Sequence, residues 1–125
     1  MSKGFLKIAE ELYELGKKSR GEKREFLFRS AISRAYYSVL WYIRDFYKIA
    51  EEKDLHSSVM KVVIRNHSGF LQNQLNKLRL ARIDSDYKIR TFKVLKGIEK
   101  NQTIYYIKLA KSIIKMLESE GKRKI

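Results

Sequence analysis

The chain has 125 residues, 28 of them Lys or Arg against 14 Asp or Glu, giving a formal charge of +14 and a pI near 10. This length predicts one domain that buries roughly two thirds of its unfolded surface without a disulfide or metal staple. The absence of Cys excludes disulfides, thiolate catalysis and Cys-ligated zinc. No apolar run approaches the roughly 18 residues of a spanning helix, and nothing reads as a signal peptide, so a soluble cytoplasmic protein is expected. The charge predicts a polyanion partner, nucleic acid first, although a Lys-rich surface also suits a solvated protein of a heat-adapted organism.

With no proline and six glycines, helical periodicity accounts for most of the chain. A first helix is predicted from Ser2, its N-cap, to Ser19, with Phe5, Ile8, Ala9, Leu12 and Gly16 on one face. The segment Ser19 to Glu25, around Gly21, reads as a basic turn. A long second helix follows from Phe26, ending around Glu52 to Asp54. Its core stripe is Phe28, Ile32, Ala35, Val39, Ile43, Phe46 and Ala50. Tyr37, Leu40 and Trp41 point away from that stripe, where a surface helix carries charge, so a second covering layer is expected, either another helix or a second copy of the chain.

Asp54 is the predicted N-cap of a third helix, Leu55 to Asn66, with apolar positions Leu55, Val59, Met60, Val63 and Ile64, closed by His67, Ser68 and Gly69. A fourth helix, Phe70 to about Asp86, carries the stripe Leu71, Leu75 and Leu78. Lys88 to Gly97 reads as a loop. A fifth helix, Ile98 to Glu120, buries Thr103, Tyr106, Ile107, Ala110, Ile114 and Leu117 ahead of a short basic tail. The expected fold is all-α, a single domain over residues 1–125, built as an up-and-down antiparallel bundle of four long helices and one short one.

The fourth helix continues its stripe to Arg82, with Asp86 one turn further, so an Arg and an Asp face the core or a groove, where each needs a partner. Arg34 is the expected third member. Two readings stand: an Arg–carboxylate clamp between the second and fourth helices, or a groove offering guanidinium groups to a phosphate. His56 and His67 each lie at an end of the third helix with no companion at metal-ligand spacing, and are read as capping or surface residues. Tyr87, Lys88, Arg90, Phe92, Lys93 and Lys96 form a basic and aromatic strip suited to a phosphate backbone. No phosphate loop or nucleophile elbow occurs, and no metal or cofactor is expected.

Three segments together carry a family pattern: Arg29-Ser30-Ala31-Ile32-Ser33-Arg34-Ala35-Tyr36-Tyr37, then Leu55-His56-Ser57-Ser58-Val59, then Leu78 through Arg82 with Asp86-Tyr87. The chain resembles the small stand-alone HEPN domain proteins of archaea and bacteria over most of its length. The resemblance implies a helical bundle that often dimerises, here through Tyr37, Leu40 and Trp41, and that is frequently paired with a minimal nucleotidyltransferase, sometimes as toxin and antitoxin. Active members are metal-independent ribonucleases whose motif is an Arg followed by a His after four to six intervening positions. His56 would need that Arg among Ile49, Ala50 and Glu51, and His67 among Met60, Lys61 and Val62. Only Arg82 is carried over, and it is followed by Ile83, Asp84, Ser85, Asp86 and Tyr87.

No catalytic residue is therefore assigned. The expectation is a protein that binds RNA, a nucleotide or a nucleotidyltransferase partner through Arg34, Arg82, Asp86, Tyr87, Lys88 and Arg90. A ribonuclease using Arg82 with Tyr87, or with His56 brought in by a dimer, and a purely structural interaction module are the alternatives.

Overall fold

In the computed structural model, which describes residues 2–50, 54–67, 69–87 and 100–123, five helices follow one another: α1 (Ser2–Lys17), α2 (Gly21–Tyr47), α3 (Leu55–Asn66), α4 (Gly69–Tyr87) and α5 (Lys100–Arg123). There is no strand among the described residues, and the all-α bundle expected from periodicity is what forms. No described helix is long and apolar enough to cross a membrane. Lys88 to Gly97, with the candidate residues Lys88 and Arg90, lies outside the described residues, as does the side chain of Tyr87.

The contacts give each helix a direction. Tyr13 stacks on Phe28 and Phe5 lies against Tyr37, so α1 runs antiparallel to α2. Arg29 reaches the carbonyls of Asp84 and Ser85 while Tyr37 meets Arg82, so α4 also runs antiparallel to α2. Phe46 lies under Gly121 and Lys111 pairs with Glu10, which sets α5 parallel to α2 and antiparallel to α1. The four long helices therefore alternate in direction, down, up, down and up.

The short helix departs from this alternation. Tyr36 bonds His56 and Tyr47 bonds His67, so the same offset joins both pairs and α3 lies parallel to the second half of α2. Each pair of anchors is separated by eleven residues on its own helix, about three turns or roughly 16 Å. The seven residues from 48 to 54 have a reach of roughly 23 Å, enough for that return. From its far end α3 turns directly into α4.

The stripe of α2 organises the core: Phe28, Ile32, Ala35, Val39 and Ile43 are shielded almost completely, as are Leu71, Leu75 and Leu78 of α4 and Ile107, Ala110 and Leu117 of α5. Leu40, placed by the helical wheel on an outward dimer face, is 4% exposed and belongs to this monomer core. The covering layer that α2 needs at Leu40 is thus supplied within the chain. Ala50 falls beyond the end of α2 and is exposed, and Ile8 and Ile64, assigned to core faces, are exposed as well.

Boundaries follow local chemistry. Gly21 takes φ +61°, a left-handed backbone open to glycine, so the chain reverses over Lys18 to Arg20 and α2 starts about five residues earlier than periodicity suggested. Lys48 caps the other end in the left-handed region, its amide reaching Arg44 and Asp45 carbonyls, and α2 stops at Tyr47 rather than near Glu52. Ser2 is already helical rather than an N-cap. Asp54 caps α3 as expected, accepting from the Ser57 amide and hydroxyl. Gly121, read as the start of a tail, lies inside α5, where a Cβ would come within 3.1 Å of the Phe46 ring.

Candidate functional site

Polar side chains at spacing four interrupt the apolar surface of α2: Glu25, Arg29, Ser33 and Tyr37. A spacing of four keeps them on one line of the helix, and that line faces the C-terminal half of α4. Arg29, 3% exposed, pairs with Glu25 through Nε at 2.9 Å and donates from Nη1 to the carbonyls of Asp84 and Ser85 at 3.0 and 3.2 Å. Those two carbonyls belong to the last turn of α4, whose acceptors have no partner within the helix. A guanidinium at the negative end of the helix dipole completes the contact. The α2 arginine that reaches α4 is thus Arg29, not Arg34, and it does so through backbone carbonyls, its carboxylate partner lying on its own helix.

Arg82 and Asp86 meet as their spacing indicated, Arg82 Nε lying 2.9 Å from Asp86 Oδ2. Ser33 donates to the same carboxylate oxygen at 3.3 Å, and Arg82 Nη2 donates to the Tyr37 hydroxyl at 2.5 Å. Tyr37, proposed for a dimer face, thus supports Arg82. Arg34 is exposed and does not join the pair directly. Its guanidinium sits 6.0 Å from the Phe5 ring, Phe5 lies 6.1 Å from Tyr37, and Arg82 stands 5.2 Å from Tyr37. Arg34 and Arg82 therefore flank an aromatic pair, in cation–π contact at both ends.

His56, taken from sequence for a helix-end residue, is the centre of the arrangement. The parallel course of α3 delivers it to Tyr36 of α2, whose hydroxyl lies against Nδ1 and, at 2.9 Å, Nε2. Arg79 of α4 donates from Nε to His56 Nε2 at 2.8 Å. A guanidinium has no acceptor, so Nε2 presents its lone pair; the network assigns a neutral ring with its proton on Nδ1, donated to Tyr36. Burial holds the ring below the ordinary histidine range, and the charges of Arg79 and Arg82 push the same way. His56, Ser57, Met60 and Arg79 line a cavity of about 120 Å³.

The charges in this region differ in how they are matched. Arg29 and Arg82 each face a carboxylate at 2.9 Å. Arg79 meets a neutral imidazole, and Asp54, which feels its charge, makes no ion pair with it among the described residues. No group of three or more potential metal ligands occurs among the described residues. Arg79 escaped sequence reasoning because 23 residues separate it from His56, and only the direction of α3 brings the two together. The line from Glu25 to Tyr37 was a readable signal for Arg29 and Ser33. At the far end of α3, His67 lies between Tyr47 and Glu120 of α5, with Nδ1 3.3 Å from the carboxylate, and ties three helix ends together.

Trp41, the last of the three residues assigned to a dimer face, is half-buried and carries the Arg44 guanidinium 4.5 Å from its ring. Compared with protein-family models, with curated proteins and with solved structures, the chain matches none.

Proposed function

We propose that the protein binds RNA, in keeping with its resemblance to HEPN domain proteins, along the row formed by Arg34, Phe5, Tyr37, Arg82, Arg79 and His56. The single observation that carries this reading is Arg79: a half-buried guanidinium whose hydrogen-bonded partner is a neutral ring, beside a cavity, in a chain of charge +14. Such a group gains a charge-assisted, bidentate partner when a phosphate arrives. Alternating aromatic and cationic side chains suit a single strand, whose bases stack while its phosphates meet the charges. A Trp41-centred homodimer and a nucleotidyltransferase partner belong to the same proposal.

Fluorescence anisotropy with a labelled single-stranded RNA tests it. Affinity should fall linearly in log–log form with salt, and Arg79→Ala should weaken binding and reduce the slope by about 0.7 to 1 while the melting temperature holds. Failure of the wild-type chain to bind at low salt refutes the reading, as does a slope unchanged in Arg79→Ala.

A second reading is favoured by the pairing of His56 with Arg79 inside one chain, which needs neither Tyr87 nor a partner copy. A neutral histidine beside two guanidinium groups has the composition of a metal-free site for attack of a ribose 2′-hydroxyl on its own phosphodiester. Cleavage leaving 2′,3′-cyclic phosphate ends, in the presence of chelator and lost in His56→Ala, is the required result.

A further inference from the structure

The Arg79–His56 contact fills the acceptor nitrogen of the one histidine that faces the cavity. Arg79 Nε lies 2.8 Å from Nε2, and the Tyr36 hydroxyl lies against Nδ1 and 2.9 Å from Nε2, so no nitrogen of the ring is turned to a ligand while these contacts last. Ring and guanidinium both line the cavity of about 120 Å³, enough for a tetrahedral oxyanion together with a few waters. Tyr36, 1% exposed, cannot follow a ligand outward. Arg79, half-buried on a flexible stem, can.

We propose that a phosphate-sized oxyanion entering this cavity draws the Arg79 guanidinium off His56 Nε2, and that the released nitrogen then takes up a proton from solvent and keeps it, forming an N–H hydrogen bond to the same anion. Anion binding and protonation of His56 are thereby linked, each strengthening the other by the same factor. The proposal rests on the reading of this site as a phosphate-binding one, and it specifies what recognises the phosphate: Arg79 with an imidazolium formed on binding.

The electrostatics agree in sign. The groups that face His56 are Tyr36 from α2, Arg79 and Arg82 from α4, and, at the start of its own helix, Asp54. Arg82 is matched by Asp86. Arg79 is the cation whose charge stands against the ring, and an oxyanion on that guanidinium cancels it. The factors that hold the ring neutral are burial first and the two arginines next. Binding removes the Arg79 part and adds an anion at hydrogen-bond distance, so His56 becomes a stronger base. Protonation at Nε2 leaves the Nδ1 donation to Tyr36 intact, so the buried tyrosine keeps its partner.

The test follows the two histidines by long-range proton–nitrogen correlation during a pH titration. Sulfate is the probe, because it has the shape and charge of a phosphate and does not titrate in this range; sodium chloride at equal ionic strength is the control. In chloride His56 should appear as the Nδ1–H tautomer and titrate below the ordinary histidine range. In sulfate its midpoint should move up by about one pH unit, a tenfold change in proton affinity. Arg79→Gln should abolish the sulfate effect. A His56 midpoint that is the same in both salts overturns the linkage, and so does an equal upward shift in Arg79→Gln. If RNA still binds with a salt slope that depends on Arg79, the phosphate-binding reading survives that failure; if both are lost, it falls too.

Discussion

Removing Arg29 should be the most damaging single change in the α2–α4 interface, and more damaging than neutralising its partner. Arg29→Met keeps the volume of the side chain but takes away the charge facing Glu25, which is 8% exposed, and the donor serving Asp84 and Ser85. Breaking a buried ion pair from one side costs about 3–5 kcal/mol, because the remaining charge is left in a poor solvent. Glu25→Gln takes the carboxylate from the Arg29 charge but retains an oxygen acceptor at the same place and leaves the carbonyl contacts intact, so its cost should be smaller, about 1.5–3 kcal/mol. In urea, with a slope of roughly 2 kcal/mol per molar, the first change should lower the midpoint by about 2 M and the second by about 1 M. Amide exchange adds a local readout: the last turn of α4 should lose protection in Arg29→Met and keep most of it in Glu25→Gln. Equal midpoint shifts for the two variants would refute the argument, since the carbonyl contacts would then contribute nothing.

Three further outcomes can be checked. Gly16→Ala should lower the melting temperature by up to about 8 °C: the new methyl would lie 2.6 Å from a buried Phe28 ring carbon, and overpacking of about 1–3 kcal/mol outweighs a helix-propensity gain of about 1 kcal/mol. Gly4→Ala, with nothing within 4 Å, is the control and should stabilise; a rise in both variants contradicts the close packing at Gly16. Asp54 has its carboxyl held low, chiefly by the Ser57 hydroxyl and then by the Ser57 amide. Its stabilising effect is therefore present above the unfolded carboxylate pKa, about 3.9, and lost as pH falls through the lowered folded value, so wild type and Asp54→Asn should differ in denaturant midpoint above that unfolded value and converge progressively as pH falls below it; a gap that stays constant on acidification counts against the cap. If the proposed homodimer forms, light scattering should give the wild type twice the chain mass and Trp41→Glu half of that, with helical circular dichroism retained; a monomeric wild type refutes the dimer, a dimer that persists in the variant removes Trp41 from its interface, and loss of helicity assigns it to the core.

What the sequence disclosed about the fold depended on whether a signal was local. The bounds of α3 were legible to the residue because Asp54 caps one end with its own side chain. The start of α2 was not, since Lys23 and Arg24 look like turn residues until the left-handed Gly21 is seen to place the turn before them. Its end was equally hidden, because a left-handed lysine leaves no mark on composition. At the site, the Arg82–Asp86 pair was readable as a one-turn spacing on one helix. Arg34 was chosen as the α2 member because it stands outside the apolar stripe, whereas the residues that reach α4 are Arg29 and Ser33, polar groups set close to the stripe itself. Leu40 misled for the complementary reason: a helix apolar on two faces is equally consistent with a partner copy and with helices folded back from the same chain. His56 with Arg79 required knowing that α3 runs alongside α2 in the same direction, a property of a return connection that no periodicity encodes.

That direction gives α3 an uneven response to acid. Its two histidines stand three turns apart, one facing the positive Arg79 and the other the negative Glu120. The His56 end is the one that acid weakens, because a proton there meets a guanidinium, whereas His67 fastens the other end to Tyr47 of α2 and Glu120 of α5.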